Sequence, residues 1–324
     1  MEKFKIKFVD FWYGFQPEQN YFYSLLAQIY TIELSEDPDL LIYSSYGRDY
    51  LKYNCIKIYY TSENIRPDFA GCDYAISFDY SDNTRHFRLP LYALYIDQIS
   101  NIERLTRQIS RQEAAAIWKS KTKFCCMVVS NGQSKKRLSF FKKLSTYRPV
   151  DSGGLVLNNI GGPVADKMKF IKDYRFVISF ENSSHPGYTT EKIIEPLMAY
   201  CIPLYWGDPL VNTEFDRRCF LQLTEGKTEE QLISEIMAID ENEEKAIDML
   251  CAPKFAGNKI PDAIIKENLI VFFGKIIKDV GIQKAVSNTL KGKLHKCHVM
   301  ASYYLRRFEG VAKNALMLSY MKKK

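Results

Sequence analysis

Three places in the chain gather side chains able to move a proton or hold an anion. The richest is FVISFENSSHPGYTTEKIIEPLMAYCIPLYWGDP, residues 176–209. An apolar run ends at Phe180, Glu181 and Asn182 follow, and a Pro-Gly loop carrying Tyr188 leads into a helix capped by Thr190. Ile193, Ile194, Leu197, Met198 and Cys201 recur there at helical spacing. Residues 202–206 read as the next parallel strand, so the helix N-terminus faces the crevice where ligands bind. Lys192 sits in the first turn, where a cation opposes the helix dipole unless an anion is bound. It marks either a phosphate site or a solvated lysine paired with Glu195 one turn on. Glu191 is likewise a ligand group or simple dipole complementation. Pro196 removes a helical hydrogen bond, so the helix kinks or starts later.

The second place is Arg137, which follows a strand over 124–130 across the polar loop 131–136. A guanidinium there could hold a diphosphate bidentately and neutralise charge as it leaves. The alternative is one cation among three on a solvated loop, with Lys135 and Lys136. The third is Glu63. A strand over 56–61 delivers Ser62, Glu63 and Asn64 to the carboxyl edge of a first sheet, beside Tyr59 and Tyr60. Such a carboxylate could accept a proton from a substrate hydroxyl, or merely close a turn. Asp37-Pro38-Asp39 precedes a strand and reads as a turn. His295, Cys297 and His298 have near-ligand spacing but lie among lysines, so no metal site is assigned. No G-x-G-x-x-G, P-loop or G-x-S-x-G is present.

The elements that must position these residues alternate between strand and helix. Strands are expected over 6–11, 40–44, 56–61 and 74–78, with a helix over 20–30; a helical connection spans 99–121. The pattern then restarts, with strands over 124–130, 175–180, 202–206 and 220–223 and a helix opening over 138–144. An acidic helical stretch runs over 224–250 and an amphipathic helix over 263–278. Several strands are apolar at successive positions, as in parallel sheets covered on both faces. The fold class is therefore α/β, two open sheets joined by a helix. The expected division is an N-terminal domain with interdomain helix over 1–118, a second domain over 119–280 and a basic tail over 281–324.

The chain has 324 residues, 46% hydrophobic and 26% charged, with a formal charge of +7. Such a composition excludes a disordered or low-complexity chain. From Lys291 to Lys324 there are nine basic residues against one acid, Glu309, so the tail carries +8 and the remainder −1. A nearly neutral body gives no case for nucleic acid as a partner. The tail interleaves its cations with apolar residues, which suits an amphipathic helix on anionic lipid, or else a helix packed on the enzyme with a solvated basic face. Eight cysteines without a C-x-x-C read as reduced core residues. No window reaches the ~18 apolar residues of a membrane span, and no signal peptide is spelled out. The expected location is cytoplasmic, peripheral on the inner face of a membrane.

The run over 176–209 resembles the donor-binding motif of the α-1,3/4-fucosyltransferases, glycosyltransferase family 10, especially the bacterial members. F-E-N, Y-x-T-E-K and I-P-x-Y-W-G appear in order at the family spacing. YYTSEN (59–64) is similar to the family's Y-T-x-E-N, and SNGQSKKR (130–137) to its S-N-x5-R. The resemblance runs from the first strand to about residue 275. It implies a GT-B arrangement, two Rossmann-like domains facing across a cleft with the acceptor on the domain over 1–118 and the donor on that over 119–280, and inverting transfer of L-fucose from GDP-β-L-fucose to an N-acetylglucosamine-containing glycan, most simply as an α-1,3 linkage in a Lewis x type product. By resemblance, Glu63 is the general base, Arg137 and Lys192 contact the diphosphate, and Glu191 binds the ribose. Asn182 and Tyr188 lie near the fucose and phosphates, and Tyr60 and Glu181 belong with the donor set. Trp12 and Tyr13 are candidates for stacking on the acceptor. No cofactor or metal is required, although divalent ions could stimulate. Transfer of another nucleotide sugar, or a non-catalytic sugar-nucleotide-binding protein at a membrane, are the alternatives. No membrane anchor of the animal Golgi type precedes the first strand, which favours the cytosolic bacterial type, and no heptad repeats are evident.

Overall fold

The computed structural model describes residues 3–98 and 102–321, with side chains of the last helix described as far as Leu305. Two parallel sheets follow one another along the chain. The first comprises β1 (Lys3–Val9), β2 (Thr31–Leu34), β3 (Leu40–Tyr43), β4 (Ile56–Tyr60), β5 (Tyr74–Ser77) and β6 (His86–Arg88), in the order β2-β1-β3-β4-β5-β6. The second comprises β7 (Lys123–Met127), β8 (Val150–Ser152), β9 (Tyr174–Phe180), β10 (Ile202–Trp206) and β11 (Leu221–Gln222), in the order β11-β10-β9-β7-β8. Every pairing is parallel. Central strands such as LLIY and IKIYY are buried along their whole length, which explains their unbroken apolar runs. The strands absent from the sequence reading, β2, β6 and β8, are all sheet edges of three or four residues and carry no such run.

The helices are α1 (Tyr21–Leu26), α2 (Leu91–Gln98), α3 (Ile102–Thr106), α4 (Arg111–Ser120), α5 (Lys135–Tyr147), α6 (Lys167–Ile171), α7 (Glu191–Met198), α8 (Glu229–Asp240), α9 (Glu243–Cys251), α10 (Lys266–Asp279) and α11 (Leu290–Met321). The expected connection over 99–121 is broken: α4 starts afresh where the Ser110 hydroxyl caps the Glu113 N–H. Residues 99–101 lie outside the described residues. The acidic stretch over 224–250 divides into α8 and α9, because the Asn242 side chain caps a new helix at the Lys245 N–H. In α7 the helix starts at Glu191 and simply contains Pro196.

Two corrections concern domain limits. The donor domain does not run continuously to residue 280: Leu269, Phe272, Phe273 and Ile276 of α10 pack in the core beneath the first sheet, with Phe273 edge-on to Phe22 and Phe272 to Tyr74. The tail also begins as part of the first domain. The Val286 N–H donates to Asp73 Oδ1 at 2.7 Å, His295 bridges Asp68 and Tyr50 at 3.0 and 2.9 Å, and Val299 and Met300 pack against a buried tyrosine cluster that includes Tyr43, Tyr50 and Tyr59. The Arg48 guanidinium stacks 3.5 Å from the Tyr303 ring. The first half of the expected lipid-facing tail is thus a docked helix, while its outer side exposes Leu290, Leu294 and Leu305. Side chains from 306 onward, and residues 322–324, lie outside the description.

The domains share one core. Ile193, Ile194, Leu197 and Met198 of α7 join residues of α2 and α10 in a single apolar cluster. Beside it, Arg88 of β6 forms a bidentate, largely buried pair with Glu214 of the second domain, one contact measuring 2.8 Å. Glu214→Ala would leave the Arg88 charge unpaired away from water and should lower stability by about 3–5 kcal/mol, read as the shift of a denaturant midpoint.

Candidate active site

In each sheet the crossovers run in opposite directions from two adjacent strands, and ligands bind at such switch points, beyond the carboxyl ends. In the second sheet the switch lies between β7 and β9, from the strand order. The residues leaving those ends are the loop 128–134 with Arg137, and Glu181 with Asn182. In the first sheet it lies between β1 and β3, and the loops there carry Trp12, Tyr13 and Tyr46. Glu63 leaves the next strand, β4.

Glu181 is fully buried at the start of α7. Its Oε1 accepts the Thr190 N–H at 2.8 Å, and its carboxylate accepts the Thr190 hydroxyl at 2.8 to 2.9 Å. Lys192 Nζ lies 3.1 Å from Glu181 Oε2 and 3.4 Å from Glu191 Oε1, and donates to the Thr190 hydroxyl at 2.9 Å. Burial works against the Lys192 charge, but Glu181 and Glu191 outweigh it and raise the ammonium pKa. For Glu191 burial opposes ionisation, yet Lys192 and Lys167 hold its carboxyl below the usual range. Burial raises Glu181 against the pull of Lys192. Lys192 therefore does not pair with Glu195, which bonds Lys167 instead. Glu181, assigned to the donor set by resemblance, caps a helix and anchors a lysine.

Arg137 is also fully buried, in the first turn of α5. Its guanidinium donates to the Phe180 carbonyl at 2.9 Å, the Asn131 carbonyl at 2.6 Å and, twice, Asn182 Oδ1 at 3.2 Å. Its Nε is buried without a partner among the described residues. All four bonds go to neutral acceptors, so a full positive charge is held beneath the crevice floor. Burial lowers its pKa, while Glu181 and Glu191 support the charge. Both terminal nitrogens of Arg137 thus already hold protein acceptors, the Asn182 side chain among them, so it does not stand as an open bidentate clamp.

The first domain reaches this cluster directly. Asn64 Nδ2 donates to Ser183 Oγ at 2.6 Å, and Arg66 Nε to His185 Nε2 at 3.2 Å, with Asp79 3.0 Å from Arg66. The buried ring of Tyr188 packs 5.0 Å from Phe78, and its hydroxyl pKa is raised by burial, then by Glu181 and by Glu63. One tyrosine therefore feels carboxylates from both domains. Tyr60, by contrast, is buried at the end of β4 against Phe22 and Phe11, at ring distances of 4.8 and 6.2 Å, so it belongs to the first domain's core and not to the donor set. It backs a cavity of about 190 Å³ lined also by Phe11, Trp12, Phe15 and Leu94. Trp12 is exposed at its mouth, while Tyr13 is wholly exposed and lines no part of it.

Sequence reasoning passed over Asp208. It is buried and accepts from the Gly187 N–H at 2.8 Å, the Thr189 hydroxyl at 2.9 Å and the Leu210 N–H at 2.7 Å, pinning the Pro-Gly loop below Tyr188. The signal was an acid directly after a strand in W-G-D-P. Among the described residues, no group of three or more His, Cys, Asp or Glu is placed to hold a metal, and no helix is long and apolar enough to cross a membrane.

Two parallel Rossmann-like sheets, joined with their carboxyl edges facing and a cationic cradle on one side, define the GT-B class of glycosyltransferase. The chain belongs to glycosyltransferase family 10. Residues 6–95 match the α-(1,3)-fucosyltransferase FucT N-terminal domain, and residues 118–248 the family 10 fucosyltransferase C-terminal region. It is 31% identical over 261 residues to α-(1,3)-fucosyltransferase FucT of Helicobacter pylori, across 70% of this chain and 55% of that one. The chain thus spans about half the length of that relative. Its structure is similar to crystal structures of an α1,3-fucosyltransferase, free (TM-score 0.73, 26% identity, 89% of this chain and 92% of that chain) and with GDP-fucose (TM-score 0.72, 26% identity, 88% and 93%).

Gly207 has φ of +155°, and a Cβ there would come within 2.4 Å of Glu181 Cγ. Gly207→Ala should lower stability by about 1–3 kcal/mol through overpacking of this carboxylate. Gly274→Ala, inside α10 with nothing within 4 Å of the added methyl, should raise it by about 0.5–1 kcal/mol. Denaturant midpoints of the two variants check the contrast.

Proposed function

We propose that the protein is an inverting fucosyltransferase that uses GDP-β-L-fucose and fucosylates a hydroxyl of an N-acetylglucosamine-containing glycan, an α-1,3 linkage giving a Lewis x type product. One observation carries the reading: Glu63 and the Lys192 and Glu191 pair leave opposite sheets toward one cleft, with Arg137 buried beneath it, and the Asn64 to Ser183 hydrogen bond ties the two sides. The Glu63 carboxylate takes the proton from the acceptor hydroxyl as its oxygen attacks C1 of fucose. The C1–O bond to the diphosphate breaks through an oxocarbenium-like state, and the electron pair leaves with GDP. Charge grows on the departing phosphate, where the Lys192 ammonium, the α7 N-terminus and the buried Arg137 are fixed in advance. In this reading Glu191 accepts from the ribose hydroxyls, Asn182, which Arg137 orients, and Tyr188 bind the fucose and phosphate oxygens, and the cavity beside Trp12 receives the acceptor.

Glu63→Gln keeps the shape but not the basicity. Transfer should fall about 10²- to 10⁴-fold while GDP-fucose still binds. Turnover near wild type would sink the reading, as would equal turnover of GDP-mannose or a UDP-sugar in the same acceptor assay.

The outer face of α11 supports a second element of the proposal, peripheral attachment to an anionic membrane surface at the cytoplasmic side, where glycolipid acceptors are assembled. Leu290, Leu294 and Leu305 are exposed on the helix, interleaved with Lys291, Lys293 and Lys296. Because residues 286–303 also hold the first domain, the informative variant keeps the helix and replaces the exposed Leu290, Leu294 and Leu305 by Gln. It should weaken co-sedimentation with anionic vesicles and leave transfer to a soluble acceptor intact; unchanged vesicle binding would refute the role of this face.

A further inference from the structure

Glu63 stands at a strand end where it is only partly buried, and a carboxylate in that setting is free to rotate. The Tyr46 hydroxyl donates to Glu63 Oε1 at 3.1 Å, and Oε2 accepts no hydrogen bond from any described residue. The loop that delivers Tyr46 follows β3, on the switch crevice of the first sheet, and is clamped at several points. The Tyr46 N–H donates to the Asp10 carbonyl at 2.9 Å, and the Asp10 carboxylate accepts the Asp49 and Tyr50 N–H groups at 2.8 and 2.9 Å. Asp10 itself adopts a left-handed φ of 60°. Gly47 lets this acid approach so closely that a Cβ there would meet Asp10 Oδ1 at 2.1 Å. The Tyr46 ring rests edge-on to Trp12 at 6.4 Å. Backbone, carboxylate clamp and aromatic contact all converge on the placement of one phenol.

We propose that Tyr46 is the positioning residue of Glu63: its hydroxyl fixes one carboxylate oxygen and turns the other toward the acceptor hydroxyl, and its ring extends the acceptor-side wall from Trp12 to the base. This rests on the reading of Glu63 as general base. Burial, and then the neighbouring Glu63, push the Tyr46 hydroxyl up to about 12, so at neutral pH it is a donor and not a competing phenolate. A base free to rotate samples nonproductive orientations, and small misplacements of a reacting group are costly. No proton needs to leave Tyr46 at any step.

Tyr46→Phe removes the hydroxyl and keeps the ring, so it separates positioning from stacking. Steady-state kinetics with GDP-fucose and a soluble acceptor should show kcat lowered about 10-fold, with KM for both substrates within twofold of wild type. In a Glu63→Gln background the same substitution should cost less than twofold, because a group that acts through Glu63 has nothing left to orient. An unchanged kcat overturns the proposal, as does a rise confined to the acceptor KM, or a loss that multiplies in full on Glu63→Gln. If Glu63→Gln alone keeps wild-type turnover, it is the base assignment that fails. A lower kcat for Tyr46→Phe cannot then be credited to Glu63, so the two failures are told apart.

Discussion

A carboxylate with no access to solvent governs the site. Burying Glu181 costs several kcal/mol unless its charge is answered, and it is answered by the Thr190 N–H and hydroxyl and by the Lys192 ammonium. Those partners fix the start of α7, and with it the direction of the helix dipole toward the crevice. The remaining requirements follow from this pair. A side chain at position 207 would strike Glu181, Asp208 must hold the loop that delivers Thr189 and Tyr188, and Arg137 supplies the second cation without competing for the same acid. Lys192 is thus already oriented and charged before any ligand arrives.

The domains work together because their switch points face each other and because the joint between them is packed. Apolar residues of α7 belong to the same cluster as α2 and α10, so the helix whose first turn faces the crevice has its rear face in the shared core. Arg88 and Glu214 lock the far side. Polar contacts at the mouth, Asn64 to Ser183 and Arg66 to His185, are lighter and more exposed than the apolar joint.

Much of this was legible in the residues. Central strands announced themselves as unbroken apolar runs because both faces are covered. The span from Phe180 to Trp206 could be read as strand, helix and strand because its apolar period changes where the helix starts. Edge strands such as β6, HFR, leave one side to solvent and show no such pattern. Site roles were harder to read than site positions. Glu181, Glu191 and Lys192 were all marked, but which acid would pair with the lysine depended on the path of the chain between Glu181 and Thr190, and Glu195 looked equally available. Tyr60 was grouped with the donor set by resemblance, yet as the last residue of β4 its ring turns into the core against Phe22 and Phe11, which only the packing of the first domain reveals. Tyr46 carries no local signal at all, since its meaning comes from Glu63, seventeen residues away.

The return of α10 to the first sheet bears on how the chain is made. The strands of that sheet are synthesised first, but Phe272, Phe273 and Ile276, which close its core against Phe22 and Tyr74, are translated only after the whole second sheet. On the ribosome the second domain can complete its own core, of α5, α8 and α9 around β7 to β10, while the first still exposes apolar surface. The first sheet therefore cannot bury its full core until the second domain has been translated, and its apolar surface stays open for that interval.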